Sequence, residues 1–410
     1  MRILYVCQRY GERIVGGSEA ACRAFAEHLC GRGHDVHVLT STAHEYTTWE
    51  NHYAPGDVTI NGVGVHRLAV RSPRTPATFG PIHEWMVHGP KPVPTFQQRR
   101  WADLTGPNVE GLEAWLHANA PSFDVVIFMT YMYATTTRGL PAVAGRVPTL
   151  LQPTAHDEPS IWIPLFETIL RMPDGYLYFT PAERAALERR LRRETVGSVV
   201  GIGIDWHDVE DPTPFRAEHG LGSDRYLLYV GRVDPGKGTI EAGRFFAEYK
   251  QRNPSDLKLV VAGELIGSAL QHPDIIYTGF LDERMKRRAM AGSVALLQPS
   301  YFESFSIVLC ESWVQGRPAL VQGRCEVLDS QVRRSRGGIP YVGFASFEAG
   351  VNLLLGEPEL ASTLGAAGRE FVRRHYAWPT VLDDVEAAIT DAQERFDHRR
   401  HHFAAGTSVL

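Results

Sequence analysis

The sequence predicts an α/β protein of two domains, each built on a doubly wound, mostly parallel sheet. Three observations lead there. The chain has 410 residues, 44% of them hydrophobic, enough for two cores in domains of roughly 200 residues each. Short continuous runs of Val, Ile and Leu alternate with helical patterns, which suits parallel strands covered on both faces. The alternation stops at a polar, proline-containing stretch, Asp205–Asp224, and then starts again.

In the first half, Ile3–Cys7 reads as a buried strand, followed by a glycine turn at Gly16–Gly17. A helix then carries Cys22, Phe25, Ala26 and Leu29 on one face and stops at Gly31 and Gly33. Val36–Leu39, Val125–Phe128, Thr149–Leu151, Tyr176–Phe179 and Val199–Ile202 continue the strand series. The proline-rich stretch Arg71–Trp101, with His83, Trp85 and His88, has no clear period and is expected to be a long loop, either a lid or acceptor-side loop or a floppy insertion. Beyond the linker, strands are expected at Tyr226–Val230, Lys258–Ala262, Ile275–Tyr277, Val294–Gln298 and Pro318–Val321, with helices starting near Gly238 and Ser304. From Ser346 the pattern is helical as far as Phe396, and the polar, His-rich residues 397–410 are expected to form a flexible tail. The domains are therefore expected at 1–205 and 206–379.

Composition narrows the function classes. A net charge of −5 argues against a nucleic-acid binder living on phosphate contacts. The five cysteines (Cys7, Cys22, Cys30, Cys310 and Cys325) are odd in number, widely spaced and never in a Cys-x-x-Cys pair, so they read as reduced thiols. The first apolar run is too short for a signal peptide, and no stretch approaches the ~18 apolar residues of a spanning helix. The expected location is cytoplasmic, at most peripheral at the inner face of a membrane.

Doubly wound sheets bind ligands at the carboxyl ends of their strands, so the loops there carry the candidate chemistry. The strongest pattern is Glu303-Ser304-Phe305-Ser306 leading to Glu311. Eight residues apart, the two acids stand about 80° apart around a helix axis. Glu303 precedes the helix and can reach over its N-terminus, where backbone N–H groups near Phe305 and Ser306 suit a phosphate. One acid could then grip sugar hydroxyls and the other a ribose.

The second pattern, Gly231-Arg232-Val-Asp-Pro-Gly236-Lys237-Gly238, nearly spells a P-loop. Gly238 stands where a P-loop needs a hydroxyl for magnesium, and Pro235 removes a loop N–H. What remains is a glycine turn offering Arg232 and Lys237 to an anion such as a diphosphate. Gly16 and Gly17 would let backbone approach a ligand, and His156 follows a strand directly, at a suitable place for a site. There is no Asp-x-Asp metal clamp, no G-x-G-x-x-G and no G-x-S-x-G; neither metal nor cofactor is expected. An arginine-rich helix around Ala182–Glu194 reads mainly as a solvated charged face, with an anionic or membrane contact as the alternative.

Taken in this order, the Gly-Gly-x-Glu loop at Gly16, the Gly231–Gly238 turn, Val-Val-Ala-Gly263-Glu264, Tyr-Thr-Gly279-Phe280 and Glu303-x7-Glu311 resemble retaining glycosyltransferase family 4. The resemblance implies a GT-B fold, two Rossmann-like domains facing across a deep cleft, with a segment around Trp378 and the helix at about 380–396 returning to the N-terminal domain. It implies a metal-independent, retaining transfer of a hexose from a nucleotide-diphosphate sugar, of GDP-mannose or UDP-glucose type, to a glycan, lipid-linked or small-molecule acceptor. Glu303 would bind the donor sugar and Glu311 the ribose. Arg232 and Lys237 would hold the diphosphate, helped by Gly16, Gly17, Ser304, Phe305 and Ser306. Gly279 and Phe280 would border the base, and His156 would lie near the transferred sugar. Two departures stand out: Ser306 replaces a common glycine, and Gly323-Arg-Cys-Glu326 replaces the usual Gly-Gly-x-Pro-Glu. A non-catalytic nucleotide-sugar binder, or an epimerase or hydrolase on the same fold, are the rival readings.

Overall fold

The computed structural model describes residues 1–406 except Val15, Gly267 and Ser268, with the side chains of Pro235 and 401–406 left aside. It divides into two compact units, Met1–Gly203 with Val381–Leu410 (unit 1) and Ile204–Thr380 (unit 2). Both are Rossmann-like.

Unit 1 contains β1 (Arg2–Val6), β2 (Asp35–Ser41), β3 (Gly56–Ile60), β4 (Val63–Leu68), β5 (Val125–Met129), β6 (Thr149–Gln152), β7 (Gly175–Tyr178) and β8 (Gly197–Val199). They form one sheet in the order β3-β4-β2-β1-β5-β6-β7-β8, parallel except at the β3–β4 edge. Unit 2 contains β9 (Tyr226–Val230), β10 (Lys258–Ala262), β11 (Ile275–Gly279), β12 (Ala295–Gln298), β13 (Ala319–Gln322) and β14 (Gly338–Tyr341). Its order is β11-β10-β9-β12-β13-β14, parallel throughout.

The continuous apolar runs follow from burial on both faces. Leu227 and Tyr229 of β9 pack with Leu259 and Val261 of β10 in one core, while Tyr226, Leu228, Val260 and Ala262 pack in another on the opposite face. Strand alternation assigns neighbouring residues to the two cores in turn. Strand order reverses beside β1 in unit 1 and beside β9 in unit 2, which makes the carboxyl ends of those strands the natural ligand crevices.

Several expectations need correction. Arg71–Trp101 is not an irregular loop: helices Pro76–His88 and Thr95–Thr105 occupy most of it. Two of its prolines stand at helix starts: Pro76 opens the first helix behind the Thr75 cap and Pro94 precedes the second, while Pro81 lies within the first. Met86 and Trp101 are buried, and Trp101 meets Phe166 edge-on at 5.8 Å. Nor does helix end at Phe396. A helix runs Trp378–Gly406, with Val381, Val385, Ala388, Ile389, Ala392 and Phe396 buried along one stripe. No proline or glycine interrupts it between Thr380 and Ala405; residues 407–410 of the expected tail lie outside the described set. The hairpin β3–β4 and the strand β14 had no counterpart in the sequence reading.

The five cysteines are free thiols, four of them buried. Among the described residues no helix is long and apolar enough to cross a membrane.

Among the described glycines of unit 2, the tightest backbone approach is at Gly263, which follows β10 with φ +142°; a Cβ there would lie 1.9 Å from the Gly231 carbonyl oxygen. Gly263→Ala is expected to cost more than ~2 kcal/mol in urea unfolding, since both backbone strain and overlap oppose it. Gly356→Ala, whose Cβ meets nothing within 4 Å, should change stability by less than ~0.5 kcal/mol. Equal effects would contradict this packing.

Candidate functional site

In unit 2 the candidate residues sit in loops that leave neighbouring strands. After β9, Gly231 (φ +147°) opens the turn that ends at Gly238 (φ +71°), where helix Thr239–Arg252 begins. Gly238 has to be glycine for a second reason: a Cβ would lie 2.3 Å from the Pro299 carbonyl, in the loop after β12. Asp234 organises the turn, accepting the Lys237 N–H at 3.1 Å on Oδ1, while its carbonyl accepts the Thr239 hydroxyl at 3.0 Å. Tyr229 Oη donates to the Arg232 carbonyl at 2.6 Å, and the Arg232 guanidinium lies 3.8 Å from Asp234.

Lys237 then reaches across to the β12 loop and donates to Glu303 Oε1 at 2.8 Å. Sequence reasoning assigned these two groups to different parts of a ligand; the structure pairs them with each other. The pair is partly buried, with the Glu303 side chain 14% exposed and Lys237 31%.

Beyond Glu303, Ser306 adopts a left-handed conformation (φ 71°, ψ 81°) at the start of helix Ile307–Val314. Such a backbone favours glycine, and a serine there is strained. Its Oγ accepts from Gln298 Nε2 at 2.9 Å, and the neighbouring Phe305 carbonyl accepts from Gln331 Nε2 at 2.6 Å. Buried amides on either side thus fix the residue that departs from the family pattern. The helix begins at Ile307, later than the sequence suggested, so Phe305 and Ser306 precede it.

Glu311, in the second turn of that helix, does not meet Glu303's partner. Its Oε1 accepts from Lys286 Nζ at 2.8 Å, while its Oε2 is buried without a hydrogen-bond partner. Burial works to lower the Lys286 pKa, but Glu311 and Glu283 more than offset it and hold the ammonium above its ordinary value. Gly279 ends β11 and accepts the Gly263 N–H at 2.8 Å; the adjacent Phe280 is 72% exposed.

In unit 1, Gly16 precedes helix Gly17–Gly31 behind β1. A Cβ on Gly16 would lie 2.4 Å from Glu19 Oε2, and Glu19 Oε1 is held by Arg9 at 2.6 Å. His156 follows β6, with Nδ1 3.6 Å from Glu158 Oε2. Glu158 in turn accepts the Tyr131 hydroxyl at 2.8 Å.

Residues 212–371 match the family described as Glycosyl transferases group 1. Over 93% of this chain and 92% of the relative, the sequence is 25% identical to glycogen synthase of Mycobacterium tuberculosis. It is 29% identical to D-inositol 3-phosphate glycosyltransferase of Streptomyces griseus over 46% of this chain and 44% of that one. The fold is similar to the crystal structure of Anabaena HepE in complex with UDP and glucose: TM-score 0.67, 12% identity, 95% of this chain and all of that one. These similarities support a GT-B glycosyltransferase.

Two further groups escaped the sequence reading. Lys286 had no motif to mark it. Glu183 did: Thr180-Pro-Ala-Glu183 is a capping box, with Thr180 accepting the Glu183 N–H at 3.1 Å. The Glu183 carboxyl, wholly buried, accepts the Phe179 N–H at 2.6 Å and the Ala155 N–H at 2.7 Å, so it pins the backbone next to His156. The arginine-rich helix is correspondingly not a uniformly solvated face. Arg190 is buried and donates to the carbonyls of Ile161 and Ile163.

Burial pushes the Glu183 carboxyl up to about 8, against the backbone N–H groups that favour its ionised form. Because this carboxyl pKa is raised on folding, the folded chain holds a proton that the unfolded chain has lost. Stability should therefore fall as pH rises from the ordinary carboxylate range to about 8, at up to ~1.4 kcal/mol per pH unit. Urea unfolding at several pH values should show a shallower decline for Glu183→Gln; identical slopes would contradict the assignment.

Proposed function

We infer that the chain is a retaining, metal-independent glycosyltransferase that moves a hexose from a nucleotide-diphosphate sugar to a glycan, lipid-linked or small-molecule acceptor. The observation that carries the reading is the convergence of Lys237 and Glu303, from loops after different strands, beside the start of helix Ile307–Val314. A donor diphosphate at that point would take Lys237 from Glu303 and free the carboxylate for the sugar hydroxyls. The pair thus satisfies both charges until the donor exchanges their partners. Arg232 supplies a second cation, and the orphaned Oε2 of Glu311 suits a ribose hydroxyl.

As the glycosidic bond breaks, negative charge builds on the departing diphosphate. Fixed cations aimed there stabilise the transition state more than the bound ground state. Retention would follow from same-face attack, with the leaving phosphate taking the acceptor's proton. Roles for Gly16, Gly17 and His156 in unit 1, for Gly279 and Phe280 beside the base, and for Ser304, Phe305 and Ser306 beside the phosphates rest on the family 4 resemblance. A uracil base in the donor is supported by HepE, whose structure holds UDP; GDP-mannose is the competing donor.

A thermal-shift screen of UDP, GDP, ADP, TDP and their sugars in EDTA tests the reading. One nucleotide family should raise the melting temperature by mass action; no shift with any of them, in EDTA or magnesium, would overturn it. Glu311→Ala should weaken nucleotide binding about 10–100-fold, the loss of a hydrogen bond to a charged group. Lys237→Ala and Arg232→Ala should instead lower donor turnover more than donor binding. Wild-type turnover in both cation variants would refute the electrostatic account.

A further inference from the structure

A second place of interest lies in unit 1, at the amino ends of β7 and β8, beside that of β6, the strand that leads to His156. There a cavity of about 390 Å³ is walled by Arg171, Arg193, Arg395 and Arg399, with His398 and the ring of Tyr176. Four arginines and two acids, Asp174 and Glu194, line this wall, so the wall itself carries more cations than anions.

The acids and carbonyls nearby engage the arginines unequally. Asp174 Oδ2 is committed to the Thr149 N–H at 2.7 Å and hydroxyl at 3.0 Å, and Oδ1 accepts from Arg399. Arg171 is bound to Glu167 at 3.1 Å and to the Leu191 carbonyl at 2.9 Å. Arg395 is left with a contact of 4.0 Å to Asp391, and its Nε is buried without a hydrogen-bond partner. A buried guanidinium N–H without an acceptor is costly. The backbone nevertheless makes room for it: a Cβ at Gly175 would lie 3.1 Å from Arg395 Nη2, so the glycine opening β7 lets the guanidinium lie along the strand.

We propose that this cavity binds a small phosphomonoester, its dianionic phosphate held by Arg395 and Arg193 and its body resting on Tyr176, Pro173 and Val196. The guanidinium fork matches phosphate oxygens in pairs. The volume exceeds what a bare phosphate fills, and the wall combines cations with an aromatic ring and aliphatic groups. Thr149 opens β6 and binds Asp174, which precedes β7, whereas His156 lies beyond the carboxyl end of β6. Four residues of strand, about 13 Å, separate the two places. The cavity therefore lies apart from His156 within unit 1.

The test uses the full-length protein saturated with UDP, so that the diphosphate-binding loops are occupied. Inorganic phosphate and glycerol 3-phosphate are titrated by calorimetry against chloride of matched ionic strength. The expected result is binding with Kd of roughly 0.1–1 mM, tighter for glycerol 3-phosphate, weakened about tenfold or more in Arg395→Ala and in Arg193→Ala. Lys237→Ala should leave it unchanged. Arg193→Ala keeps the test decisive where the Arg395 variant fails to fold. No heat beyond the chloride control, or binding unchanged in both arginine variants, would overturn the proposal. Binding lost in Lys237→Ala and retained in the arginine variants would place the anion in unit 2 and overturn it equally. A failed UDP interaction would count against the donor reading alone, because the phosphate titration can be run without UDP on Lys237→Ala.

Discussion

The parallel pairing of β9 with β10 on one side and β12 on the other is the constraint on which the candidate donor site depends. Val230 is level with Ala262, and Leu228 with Leu296. Strands held in that register end close together, so the loops after them start within reach of one another. The contacts that follow are backbone contacts first. Gly263 lies against the Gly231 carbonyl and Gly238 against the Pro299 carbonyl, both at positive φ. Side-chain chemistry is added to a framework that already tolerates only glycine at its closest points.

On that framework the charges are arranged in pairs. Lys237 with Glu303, and Lys286 with Glu311, each join one loop or helix to another at 2.8 Å. Pairs with this degree of burial contribute less to stability than their distances suggest, because desolvation opposes attraction. Their value is in position: an ammonium held by a carboxylate is already desolvated and oriented when a ligand's anion arrives. Ser306 shows the same economy in backbone terms, a left-handed residue held by Gln298 where glycine would have been free to move.

Much of this was legible in the sequence, and for identifiable reasons. Buried parallel strands write themselves as runs such as Ile3–Cys7 and Lys258–Ala262 because both faces meet apolar neighbours. β3, Gly56–Ile60, was not legible because it is an edge strand, exposed along nearly its whole length. The helices within 71–101 were concealed by prolines that look like breakers, two of which, Pro76 and Pro94, stand at helix starts. Glu303 and Lys237 could each be named, but their pairing could not, since sixty-six residues separate them and no local pattern encodes the distance. Glu183 carried a readable capping signal, yet its second function, pinning Ala155, depends on two strands lying side by side. Lys286 had nothing in its sequence neighbourhood to mark it.

The helix Trp378–Gly406 belongs to two places at once. Trp378 donates to Asp205 within unit 2, whereas from Val381 onward the residues are counted in unit 1, where Glu386 meets Arg32 and His34. Unit 1 is consequently discontinuous in the chain, while unit 2 is one uninterrupted segment. During synthesis, residues 204–380 are complete before the stripe from Val381 to Phe396 has emerged, so the part made first must wait longest for its last buried surface. A fragment ending near residue 203 would carry that uncovered apolar face permanently, and the hazard for such a fragment is self-association rather than a mere loss of activity.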